Sequence, residues 1–154
     1  MTGRLMRLVV VGVLWAGLLP QVADCVQDPL ILEGIERMRN GEFSASLDLL
    51  RQAAERQPDP QTIDGLLGQA YIGLGFQRLD SASYAEAVEA FAEAVDYLPD
   101  DPRPWQGQAI ASLHQGQNAA AEAALQEALQ LLEQQRGLDR LDLRRRIDGP
   151  TALG

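Results

Sequence analysis

One spacing recurs along this chain and limits what it can fold into. Gly34 and Gly68 lie 34 residues apart, as do Gly41 and Gly75. Ser46 and Ala87, Leu50 and Phe91, Ala53 and Ala94, and Pro58 and Pro99 are each separated by 41. Ala87 and Ala121, Phe91 and Leu125, and Ala94 and Ala128 return to 34. Seven extra residues therefore enter once, between Gly75 and Ala87. Self-similarity at this length signals a stack of supersecondary units, none able to bury its apolar face alone, rather than one irregular core.

Three units follow from the spacing, residues 27–60, 61–101 and 102–135, each reading as two helices. Gly34, Gly68 and Ala109 fall mid-helix, where glycine costs about 1 kcal/mol against alanine. A small residue recurring there implies that another helix passes too close for a larger side chain. Ala53, Ala94 and Ala128 do the same on the second helices, and Tyr71, Phe91, Trp105 and Leu125 are the large counterparts that fill the space between. Pro58-Asp59-Pro60 and Pro99-Asp100-Asp101-Pro102 stop one helix and start the next.

The seven-residue insertion spans 76–82. Seven residues are close to two helical turns, so the spacing predicts a first helix that continues to about Leu79 with its buried face in phase. A flexible loop is the alternative, because Gly73 and Gly75 weaken a helix. Ser83 followed by Glu86 has capping-box spacing and predicts the start of the next helix. The third unit carries Glu133 where the others have Pro58 and Pro99, and nothing stops its last helix before Gly137. Leu138, Leu141 and Ile147 then predict a short capping helix over 136–147 that covers the end of the stack, with a frayed tail at 148–154. Arg144, Arg145 and Arg146 would close that helix, where positive charge suits the helix dipole.

The residues that carry this pattern resemble the tetratricopeptide repeat family. Leu67, Gly68 and Tyr71 precede Ala87, Phe91, Ala94 and Pro99 in the second unit. Trp105, Ala109 and Gly116 precede Ala121, Leu125 and Ala128 in the third. The family pattern is W-x2-L-G-x2-Y, then A-x3-F, then P, over about 34 residues. The likeness covers residues 27–135. The first unit departs from it, with Leu30, Arg37 and Ser46 at the places of Trp, Tyr and the first Ala, as terminal repeats do. The resemblance implies an all-α fold, a right-handed α-solenoid of three helix-turn-helix repeats closed by the capping helix.

It also implies a concave groove lined by the first helix of each unit. The groove positions carried over from the family are Ile31, Ile35, Met38 and Arg39 in the first unit, Gln69 and Ile72 in the second, and Arg103, Gln106, Ile110, Leu113 and His114 in the third. Two readings of these residues stand: a groove for a peptide with an apolar anchor, or aliphatics that are simply core. On the groove reading, Ile72→Glu weakens partner capture and leaves helicity intact. Family members that grip a C-terminal carboxylate use Lys and Asn; here Ile31, Ile35, Gly65, Gln69 and Gln106 stand at those places and the chain has no Lys. That clamp is not expected.

The first residues read differently. Arg4 and Arg7 precede a 12-residue apolar run at 8–19, then Pro20 and small polar residues. The run is short of the roughly 20 apolar residues of a membrane span, and the order is that of a secretory signal peptide over 1–25. Val22-Ala23-Asp24-Cys25 resembles the lipobox of bacterial lipoproteins, except that Asp24 stands where a small residue belongs. Cys25 is the one cysteine, so it is a lipidation candidate, a lone thiol, or part of a cleaved leader. Without 1–25 the chain keeps 21 acidic residues and 11 arginines, a net charge of −10. Such a domain is repelled by nucleic acid and by anionic lipid, so the membrane enters only through a lipid at Cys25 or an uncleaved leader.

His114 is the one histidine, the carboxylates are scattered, and no phosphate loop, nucleophile elbow or zinc motif is visible. Neither catalysis nor a metal or cofactor is therefore expected. The expected function is an exported, periplasmic protein-binding module. The alternative is an outer-membrane lipoprotein serving as a pilotin or as a structural part of a pilus or secretion system.

Overall fold

Among the described residues three take positive φ outside a helix, Gly41 at 79°, Ala82 at 59° and Gly116 at 74°, and each turns one helix back along the next. The computed structural model describes residues 28–56 and 60–148. The expectations placed on residues 1–25, on Pro58 and Asp59, and on 149–154 lie outside the described residues. Six helices and no strand are present among the described residues: α1 (Pro29–Arg39), α2 (Phe43–Glu55), α3 (Pro60–Asp80), α4 (Tyr84–Tyr97), α5 (Pro102–His114) and α6 (Asn118–Asp148). The fold is all-α, of the helical-solenoid class.

The three turns are copies of one another. At each, the positive-φ residue donates its N–H three residues back, to Met38, Leu79 or Leu113, and the next residue donates to Arg37, Arg78 or Ser112. This Schellman arrangement satisfies the carbonyls at the end of the first helix. The residue after the turn then accepts from Ser46, Ala87 or Ala121 and so opens the second helix. Arg37 and Arg78 brace the first two turns, with Arg37 at 2.6 Å from Glu42 and Arg78 at 3.1 Å from Glu86.

The chain divides after Leu66 into two compact units. In the first, Asp28 caps α1 by accepting from the Leu30 N–H at 2.8 Å, and Pro29 follows at the first helical position. α1 packs on α2. A Cβ at Gly34 would meet the Leu50 side chain at 3.1 Å, so this position is small because Leu50 fills the space. The Ser46 hydroxyl, buried where the other units have alanine, donates to the Gly34 carbonyl at 2.7 Å. The polar atom is thus paired, which keeps its burial inexpensive.

The compact unit that begins at Leu67 is arranged around Phe91 on α4, which is fully buried. Gly75 of α3 and Gly107 of α5 face its ring from two helices, and a Cβ at either would overlap ring atoms. Phe76 meets the ring edge-on at 5.1 Å. One turn earlier on α3, Tyr71 stacks on Tyr97 at 5.7 Å, and Gly68 leaves room for Leu98. Ala87 and Ala111 complete the buried cluster. α5 packs on both α4 and α6, and α6 turns Ala121, Ala124 and Ala128 inward.

α5 begins at Asp101, whose carboxylate accepts from the Arg103 N–H at 2.9 Å and from its guanidinium. Partial burial pulls the Asp101 carboxyl up, and the Arg103 side chain, its N–H and its charge together outweigh this and hold it below the usual range. The sign makes this cap a source of stability above the ordinary carboxylate pKa, lost as pH falls through the folded-state value.

One expectation about the second repeat is met and three others are modified. The insertion is helical, as the spacing predicts, and Gly75 is no weak point because its missing side chain admits Phe91. Ser83 does precede α4, but its hydroxyl makes no cap hydrogen bond and Glu86 turns to Arg78 instead. No separate capping helix forms over 136–147: α6 runs unbroken through Gly137, and residues 133–140 are exposed, Leu138 among them. Leu125 does not fill internal space; it is 44 % exposed, and among the described residues no helix covers it as α5 covers Phe91.

Two substitutions test these packing claims. Ala82→Gly removes the strain of a side chain in left-handed backbone and should raise stability by about 1 kcal/mol in urea denaturation. Gly107→Ala should destabilise the protein despite alanine's better helix propensity of about 1 kcal/mol. In a Phe91→Ala background the same change should become neutral or stabilising, a coupling that a double-mutant cycle measures.

Candidate protein-binding surface

α5 presents two faces of opposite character. Pro104, Gly107, Ala109, Ala111 and Ser112 are buried. Arg103, Gln106, Ile110, Leu113 and His114 are exposed, and their spacing of three, four, three and one residues places them on a single stripe. The stripe is about 15 Å long at 1.5 Å per residue. Ile110 and Leu113 are 44 % and 52 % exposed, two large aliphatics open to water side by side. His114 at the end of the helix lays its ring flat on Tyr84, with centroids 4.5 Å apart and planes 1° from parallel.

Arg103 is not a free cation. It forms a fork with the Asp101 carboxylate, with its Nε at 3.0 Å from both oxygens, and this contact raises the guanidinium pKa. Beside it the α4–α5 turn and Gln135 of α6 enclose an open cleft of about 630 Å³ lined also by Tyr97, Pro99 and Pro102. Gln135 donates to the Asp100 carbonyl at 3.0 Å across that cleft.

The other candidates divide between surface and core. In the second unit Gln69 is exposed, and Ile72 is 4 % exposed and therefore core. The reason is that α3 is buried around much of its circumference, at Leu67, Ala70 and Tyr71 as well. Phe76, two turns beyond Gln69 and partly exposed, lies on the same helix face and was not among the expected residues. The in-phase insertion was the signal for it, since seven residues carry the Gln69 direction forward. In the first unit Ile31 is 2 % exposed and belongs to the core beside Gly34. Ile35 and Met38 are half-buried, and Arg39 is exposed at 3.9 Å from Glu36.

Among the described residues, no group of three or more His, Cys, Asp or Glu is placed to hold a metal ion. No described helix is long and apolar enough to cross a membrane. What the α5 stripe offers chemically is an apolar centre between polar ends, suited to seating an aliphatic or aromatic side chain while hydrogen-bonding its neighbours.

Comparison with known families agrees with the helical repeat. The tetratricopeptide repeat model matches residues 31–82 and 77–136, well over half of the chain. No curated protein matches it. The chain belongs to the tetratricopeptide repeat family, whose repeats mediate protein–protein interactions.

Proposed function

We propose that this protein is an exported, periplasmic interaction module without a reaction of its own, and that it holds an apolar-anchored peptide or protein segment on the α5 stripe. The observation that carries the reading is the pair of exposed aliphatics, Ile110 and Leu113, flanked by Gln106 and His114 on a helix whose other faces are packed. A rigid backbone under a small apolar patch loses little entropy on binding, so a single anchor residue of the partner can dominate affinity. Export is supported by Arg4, Arg7 and the apolar run at 8–19.

Peptides selected for binding to the full chain test this. Ile110→Glu or Leu113→Glu should weaken the selected peptides by about tenfold or more, with the circular dichroism spectrum unchanged. Peptides that bind both variants as well as the parent chain overturn the reading. Ile72→Glu should behave differently and lose helicity, because an unpaired carboxylate is forced into the core.

Val22-Ala23 before Cys25 favours a second reading, an outer-membrane lipoprotein acting as a pilotin or structural part of a pilus or secretion system. A diacylglyceryl mass increment on the mature protein, lost in Cys25→Ser, supports it; a mature protein lacking Cys25 removes it.

A further inference from the structure

We propose that the protein self-associates through α6, which pairs antiparallel with α6 of a second copy. The argument begins with the repeat. Phe91 and Val95 of α4, and Leu98 at its C-cap, correspond, 34 residues on, to Leu125, Leu129 and Leu132 of α6. At the α4 positions Phe91 is buried against Gly107 of α5, and Val95 and Leu98 are half-buried. On α6, Leu125 and Leu129 are exposed and Leu132 is half-buried. The residue 34 beyond Gly107 is Leu141, which lies in α6 itself, so that helix continues where a covering helix would have begun.

The chemistry of the face selects the occupant. Val88, packed on the Phe91 cluster, corresponds to Glu122, so a further hairpin docked as α5 docks on α4 would press on a carboxylate. A head-to-tail copy is disfavoured too, because Leu32 of α1, the counterpart of Gly107, is a bulky exposed side chain where a glycine slot is needed.

The α6 face complements itself instead. Glu122 lies seven residues before Leu129 and Arg136 seven after it, both exposed and both close to the leucine line at helical spacing. Antiparallel pairing about Leu129 sets the Glu122 of each copy beside the Arg136 of the other and buries the leucines between. Parallel pairing would set acid on acid and Arg on Arg. The interface is isologous, so assembly closes at a dimer. This proposal uses a different helix from the α5 stripe and stands without it.

Sedimentation equilibrium of the full chain over an about hundredfold range of concentration tests it, since mass action separates monomer from dimer. A reversible dimer is expected. Glu122→Arg and Arg136→Glu should each weaken it by about tenfold, and the two together should restore it. Both positions are exposed, so these variants keep the fold, which circular dichroism checks. Leu125→Glu with Leu129→Glu should leave a monomer. A monomer throughout, species larger than a dimer, a dimer indifferent to Glu122→Arg, or a charge swap that fails to restore association would each overturn the proposal.

Discussion

The compact unit from Leu67 onward depends on a single benzene ring that two helices leave room for. Phe91 occupies a gap made by the missing side chains of Gly75 and Gly107, with Phe76 at its edge. Glycine in mid-helix is unfavourable by itself. It persists here because close backbone approach lets one large side chain touch two neighbouring helices, and dispersion grows with the number of atoms in contact. Gly34 with Leu50 and Gly68 with Leu98 repeat the device at smaller scale. Large and small are matched across neighbouring helices rather than within one.

That matching explains what could be read from the chain. The 34-residue and 41-residue spacings located the helices well, because they reflect where bumps and hollows must recur. They misled where one residue type serves two purposes. Gly41 and Gly75 are 34 apart, yet Gly41 sits in a left-handed turn and Gly75 in a helix against Phe91. The true counterpart of Gly41 is Ala82, which adopts the same backbone without glycine's freedom and so gives no compositional sign. The end of α6 was likewise illegible. Gly137 looks like a stop, but a single glycine inside a long run of good helix formers only lowers stability slightly.

The surface was legible in part for the same reason. The third unit's stripe has the expected exposure at all five positions, because α5 packs on α4 and α6 and leaves one face open. Ile31 is core because it lies three residues from Gly34 on the one buried face of α1. Ile72 lies on a helix that is buried on several sides, so its direction in the repeat no longer decides whether water reaches it.

The insertion in α3 has a consequence for how such chains can lengthen. Its seven residues move the turn from the place of Gly75 to Ala82, and the hydrogen bonds at the turn are the same as at Gly41 and Gly116. An α-helix advances about 100° per residue, so seven bring the chain back to within about 20° of its starting direction. Five or six would have rotated the departing strand of chain away from α4 and detached Arg78 from Glu86. Growth inside a repeat of this kind is therefore confined to lengths that bring the helix back into phase, of which the seven residues found here are one.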